Sequence, residues 1–193
     1  MAVVLALCSA TLPPTPAEAD DERPPVVVIS MLDTLMLAGN YDVSIADASL
    51  RAGQAAGLGL FADVLALAPL ELGAQALVLQ RDSDDPQLAH STLMHFGGHA
   101  GAAFMLRDGV LLGAAVLVGA DTLAFRDAET LTTGLGLGLV GHADVRVYRC
   151  LWLRGQVGAL WQPYGGHRAT DVTMPPSPFV ALGLALGVPT RSE

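Results

Sequence analysis

The chain has 193 residues, 52% of them hydrophobic, with a formal net charge of −9 and a mean hydropathy of +0.47. That length fits one domain, and the negative balance, with no basic patch, excludes a general nucleic-acid binder. No run of about 18 apolar residues occurs, Val110 to Ala120 being the longest candidate, so no helix is expected to cross a bilayer.

High hydropathy without a spanning helix leaves two options, an oily soluble core or strands that face lipid. All ten positive charges are arginines. A soluble sheet normally guards its solvent face and edges with lysine and glutamate, so the absence of lysine counts against one.

Met1 to Ala10 is an apolar core of secretory-signal length, and Ala17-Glu18-Ala19 supplies a small-x-small cleavage pattern before Asp20. Residues 1–19 therefore read as a signal peptide, although a positively charged start is missing. A buried N-terminal strand or helix is the alternative; Pro13-Pro14-Thr15-Pro16 would break either. Leu5-Ala6-Leu7-Cys8 departs from a lipoprotein box at Leu7, where Gly or Ala is wanted. After cleavage Cys150 is the remaining cysteine, so no internal disulfide is expected in the exported chain. Residues 20–25, acidic with two prolines, read as a flexible lead-in.

From Val26 onward the chain reads as strands. Val26 to Leu37 is extended and apolar but alternates poorly, with Asp33 interrupting it. From Gly57 the two-residue period is clear. Leu58, Leu60, Ala62, Val64 and Ala66 share one face, and Gly57, Gly59, Phe61, Asp63 and Leu65 the other. Leu70 to Val78 follows the tight turn Ala68-Pro69, with Glu71, Gly73, Gln75 and Leu77 on its second face. His95 to Leu106 and Val110 to Asp121 flank Arg107-Asp108-Gly109, a three-residue hairpin loop with Gly at the left-handed position. Gly134 to Val147 and Leu151 to Gln162 flank Tyr148-Arg149-Cys150. Val180 to Val188 is last. Longer connections are expected at 38–54, 82–91, 125–131 and 163–178, and Gln162 to Pro178 reads as the longest irregular one.

One face of each clear strand is almost purely apolar. The other mixes Gly and Ala with Asp63, Glu71, Gln75, His95, His99, Asp121, His142, Asp144, Arg146, Arg154 and Gln156. Gly is a poor choice on an open sheet face, because it costs entropy and packs nothing. Inside a narrow barrel it leaves room for the few large polar side chains opposite. The mixed face is therefore expected inside and the oily face outside, against lipid. The fold class expected is all-β, an eight-stranded antiparallel up-and-down transmembrane β-barrel over residues 26–189, with 190–193 as a tail.

Turn length then sets register. It places His95 opposite Asp121, Asp144 opposite Arg154, His142 opposite Gln156 and Arg146 opposite Trp152, an interior polar network with opposite charges together. Leu135, Leu137, Leu139, Leu151, Leu153, Leu182, Leu184 and Leu186 are expected to face lipid. Phe96 and Trp161, toward the long loops, and Phe104, toward the tight turns, suit interfacial girdles.

This pattern resembles the small bacterial outer-membrane β-barrels of OmpA/OmpX-like, eight-stranded architecture. The resemblance implies tight turns on the periplasmic side and long loops outside. The family's C-terminal assembly signal is a Gly followed by spaced hydrophobics ending in an aromatic. Gly183, Leu186 and Val188 look similar, while the terminal aromatic is absent and Pro189 to Glu193 trails beyond. Outer-membrane lipid and the barrel-assembly machinery are the partners implied, and a monomer is expected.

No catalytic set, metal or cofactor is expected. His95 and His99 share a strand face but stand roughly 13 Å apart, which favours interior hydrogen bonding over shared ligation. Gly134-x-Gly136-x-Gly138 lies within a strand and opens no helix, so it is no nucleotide loop. His90-Ser91, placed in a loop, resembles by fold analogy the rim of barrels that modify lipid A. The expectation is a non-enzymatic integral outer-membrane protein with a side-chain-filled interior and no large pore. The alternatives are a rim-site lipid-modifying enzyme and a secreted soluble β-barrel binding an apolar ligand.

Overall fold

A computed structural model describes residues 27–36, 41–45, 48–52, 54–67, 69–81, 91–107, 109–124, 131–167 and 170–188. The expected signal peptide, the lead-in, the C-terminal tail and His90 lie outside these residues. In chain order the strands are β1 (Val27–Met36), β2 (Tyr41–Ile45), β3 (Ala48–Ala52), β4 (Ala55–Leu67) and β5 (Leu70–Arg81). β6 (Ser91–Arg107), β7 (Val110–Ala124), β8 (Leu131–Tyr148), β9 (Leu151–His167) and β10 (Thr170–Val188) follow. No helix occurs among the described residues.

β1 and β4 to β10 form the barrel, each antiparallel to its neighbours. β1 closes it, pairing with β4 from Val27↔Val64 to Met36↔Ala55 and with β10 from Val27↔Val188 to Met36↔Phe179. Closure leaves no strand edge unpaired over that length. Burial follows the two-residue period. In β5, Glu71, Gln75, Leu77, Leu79 and Arg81 are buried, whereas Leu70, Leu72, Ala74, Val78 and Gln80 are exposed.

Both longer tight turns are two-residue loops with a bulge beside them. Arg107 pairs with Val110 after a register shift beyond Met105, and Gly109 takes φ 76°, where only glycine is unstrained. Its carbonyl accepts a bond from the Arg146 amide across to β8 at 2.7 Å. At the other turn Tyr148 pairs with Leu151 after a shift beyond Arg146, and Arg149 has φ 28°. Beyond the bulges the register is that of a three-residue loop. Cys150 in this turn is buried and disulfide-bonded, against the expectation that it stands alone. That expectation assumed a chain without Cys8, which lies outside the described residues.

Three connections differ from the expected loops. The segment 38–54 contains the hairpin β2–β3, and β2 adds to β10 through Ile45↔Val172 and Ser44↔Thr173. Arg81 belongs to β5, paired with Ser91, the first residue of β6; both side chains are buried. Gln162 to Pro178 is not irregular, for β9 runs to His167 and β10 starts at Thr170. Register shifts between Asp171, Met174 and Ser177 absorb Pro175 and Pro176, since a residue without an N–H fits a ladder only where the ladder is broken. A further bulge sets Trp161 to Tyr164 against Leu137 to Leu135; Gln162 keeps the buried, even-numbered face of β9, and beyond it Tyr164 points outward.

The interior is layered. Toward the tight turns Val28, Leu65, Ala103, Leu111, Trp152 and Ala185 pack together. Toward the long connections Phe61, Leu77, Leu79, Leu93, Leu117, Leu160 and Phe179 form a larger apolar cluster. Asp63, Glu71, His99, His142, Asp144 and Arg154 occupy the space between these clusters, while His95 and Asp121 stand level with the larger one and Arg81 lies beyond Leu79.

Candidate functional site

Asp63, Glu71, His99, His142, Asp144 and Arg154 are almost completely buried and stand on inward positions of β4, β5, β6, β8 and β9. Each is there because the two-residue period aims alternate side chains into the lumen. The Arg154 guanidinium donates to both oxygens of Asp144 across the β8–β9 ladder, Nε to Oδ1 at 2.5 Å and Nη2 to Oδ2 at 2.9 Å. Its Nη1 crosses the lumen to Asp63 Oδ2 on β4 and to Ser30 Oγ on β1 at 3.3 Å. One cation thus ties four strands that are not all sequence neighbours. Such a charge needs this many partners, because an uncompensated ion in the interior costs several kcal/mol, about 3–5 when one partner is lost.

The network runs on in two directions. His142 is held between Asp144 Oδ2 and Glu71 Oε2, at 3.0 Å from each. On the other side, Asp63 Oδ1 lies 2.8 Å from His99 Nε2. His99 Nδ1 donates to Gln75 Oε1 at 2.7 Å, and the Gln75 amide donates to His95 Nε2 at 3.0 Å and to the Gly98 carbonyl at 3.2 Å. His95 Nδ1 then donates to Asp121 Oδ1 at 2.5 Å. Gln75 therefore bridges His95 and His99, which do not converge on one point.

The ladders place His95 beside Asp121, Asp144 beside Arg154, His142 beside Gln156 and Arg146 beside Trp152. Three of these pairs interact: Asp144 and Arg154 as an ion pair, His95 and Asp121 through a hydrogen bond, and Arg146 with its guanidinium 6.0 Å from the Trp152 ring centre. His142 and Gln156 do not bond each other. His142 turns to its two carboxylates, and Gln156 Oε1 is left without a hydrogen-bond partner. Sequence reasoning put Asp63, Glu71, Gln75 and His99 on the inward face but did not join them to the network. Hairpin register relates only adjacent strands, and the Arg154–Asp63 and His142–Glu71 contacts span the lumen.

Small residues make room for these groups. A Cβ on Gly73 would strike the His99 ring, one on Gly113 the His142 ring, and one on Gly136 the Asp121 carboxylate. Donor atoms of Asp63, Glu71 and His99 lie within 4.8 Å of one another, a spacing that could hold a metal ion. Ser91 does not stand at an open rim. It is fully buried inside β6, and its hydroxyl has no hydrogen-bond partner.

Outside, Leu135, Leu139, Leu153, Leu182 and Leu184 are exposed, and Leu137, Leu151 and Leu186 are half-buried on the same face. Phe96 and Phe104 are exposed and Trp161 is half-buried; Tyr148 and Tyr164 add two exposed rings, one near each end of the wall. Outward positions from Leu58 to Val64, Leu70 to Val78, Phe96 to Phe104, Leu112 to Val118, Leu135 to Val147, Leu151 to Val157 and Val180 to Leu184 carry no charged residue.

No protein-family model matches the chain, and no curated protein does. Among solved structures it is similar to the crystal structure of Neisserial surface protein A, at 14% identity and a TM-score of 0.59, over 86% of this chain and 99% of that one. The solid-state NMR structure of the outer membrane protein AlkL in DMPC lipid bilayers aligns at 11% identity and a TM-score of 0.49, covering 95% of this chain and 99% of that one. Ail, the attachment invasion locus protein of Yersinia pestis, in complex with the heparin analogue sucrose octasulfate, aligns at 10% identity and 0.47, covering 83% and 96%. The chain thus has the fold of the small eight-stranded β-barrels to which Neisserial surface protein A belongs.

Proposed function

We propose that the chain is an integral protein of the bacterial outer membrane with a structural or surface role, a filled interior and no large pore. The observation that carries this reading is the apolar outer face of β4 to β10 over a buried ionic layer; on β1, Asp33 stands in register with the outward Leu58 and Leu182. Leu135 to Val147 spans twelve residue steps, roughly 40 Å of strand, which at a tilt of about 40° gives a height near 30 Å. That matches a hydrocarbon core of about 30 Å. A soluble monomer rarely exposes a contiguous apolar patch beyond a few hundred Å². Lipid is therefore the direct partner of the wall, and the barrel-assembly machinery is the partner for insertion, reading the C-terminal Gly183, Leu186 and Val188. The barrel is proposed to act as a monomer.

The lipid-modifying reading has less support, because the Ser91 side chain is fully buried. The test is fractionation of cells expressing the full chain. The expected result is recovery in the outer membrane, release only by detergent, and faster gel migration before boiling than after. Recovery in the soluble fraction would overturn the proposal. A changed lipid A profile in cells making the wild type, lost with Ser91→Ala, would replace it by the enzyme.

A further inference from the structure

We propose that Asp63, Glu71 and His99 form a binding site for one first-row divalent cation, of the Zn²⁺ or Mn²⁺ kind, which clamps β4, β5 and β6 together inside the barrel. The three donor atoms lie within 4.8 Å of one another, on adjacent strands and fully inside the wall. One imidazole with two carboxylates is a donor set suited to such ions.

Four observations separate this cluster from an ordinary ion pair. Asp63 Oδ1 is buried and lies 2.8 Å from His99 Nε2, its ion-pair neighbour, without a well-aligned hydrogen bond. The second oxygen of Asp63 is already taken by Arg154, which leaves Oδ1 aimed at the cluster. His99 is oriented as metal-binding imidazoles are, its Nδ1–H donating to Gln75 Oε1 at 2.7 Å and its Nε2 turned to the site. Glu71 is likewise fixed from behind, by His142 Nε2 on its Oε2 at 3.0 Å.

Space and charge agree with this. Gly73 lies between Glu71 and Gln75 on the inward face, and a Cβ there would strike His99 Cε1, His99 Nε2 and the Ala62 carbonyl. The absent side chain lets the imidazole lie flat against β5. Among the described residues, four buried carboxylates, Asp63, Glu71, Asp121 and Asp144, meet one guanidinium, Arg154, and His142 sits between Glu71 and Asp144, which leaves the Asp63 and Glu71 end the more negative. Buried negative charge must be balanced, and a divalent ion at this cluster supplies the balance where two carboxylates meet.

The site would load as the barrel closes, since donors from three strands meet only in the folded state. The test uses untagged chain refolded from urea into detergent with EDTA, ZnCl₂ or MnCl₂, then dialysed and analysed for metal. Folded wild type and Thr132→Ala, a buried polar variant outside the network, are expected to keep about one ion per chain. His99→Gln and Asp63→Asn should keep less than about a tenth of that. Refolding with CoCl₂ should give visible absorption in the wild type that is lost in both variants. Folded wild type, identified by heat-modifiable migration, that retains no ion above the detergent blank and shows no cobalt absorption would overturn the site and leave a proton shared between Asp63 and His99. If the variants fail to fold, the wild-type metal content and cobalt spectrum decide alone. Failure here leaves the membrane reading untouched, because that rests on the outer wall.

Discussion

Arg154 on β9 reaches across the lumen to Asp63 on β4 while gripping Asp144 on the adjacent strand with two hydrogen bonds. The side chain is among the largest that the barrel buries completely. Its replacement by Met should strand two carboxylates and lower stability by about 3–5 kcal/mol. Urea unfolding in detergent measures this. Adding Asp63→Asn and Asp144→Asn to Arg154→Met should restore most of the loss, because the cost lies in unpaired charge rather than in lost packing. Equal destabilisation of the single and triple variants would refute that attribution.

The outer wall makes a depth prediction. Leu139 lies near the middle of the exposed face of β8, and Val147 near its tight-turn end. Leu139→Arg should cost about 2–4 kcal/mol in folding into lipid vesicles, and Val147→Arg about 0–1. Equal costs at the two positions, read from urea titrations of vesicle folding, would argue against a bilayer around this wall.

Glycines on opposite faces should behave differently. An added Cβ at Gly155, on the outer face, meets nothing within 4 Å, whereas at Gly136 it collides with the Asp121 carboxylate. Gly155→Ala is expected to change stability by less than about 0.5 kcal/mol. Gly136→Ala should cost about 1–3, by forcing Asp121 away from His95. Thermal melting in detergent distinguishes the two, and a reversed order would mean the faces are assigned backwards.

The apolar plugs predict electrical silence. Phe61, Leu117 and Phe179 close the lumen on one side of the ionic layer, and Trp152 and Leu111 on the other. Reconstituted protein should therefore give no porin-like steps in planar bilayers, and stable steps of that size would contradict a filled interior.

How legible all this was depends on which physical constraint each residue obeys. The barrel strands were readable because each has two sharply different neighbours, so Leu137 and Leu139 against Gly138 and His142 announce a period of two. The tight turns were readable because a left-handed residue such as Gly109 leaves a compositional mark. The tall β9–β10 hairpin was not. Pro175, Pro176 and Pro178 read as irregular chain, yet bulges accommodate the first two and Pro178 pairs in register with Ala159. Ser91 was placed in a loop because the polar stretch before it has no periodicity to set its face. The Arg154–Asp63 contact was beyond reach for a different reason. It depends on closure, which brings together strands that no turn length relates.

The central claim is that the leucine face of each strand meets acyl chains while the acids, histidines and Arg154 are enclosed. Spin labels on Leu139→Cys, Leu153→Cys and Leu184→Cys, with Cys8→Ser and Cys150→Ser to remove both native cysteines, test it directly in lipid vesicles. The account predicts that dissolved oxygen relaxes all three labels strongly and that a water-soluble nickel complex hardly does. Strong relaxation by the nickel complex at all three positions in folded protein would contradict it.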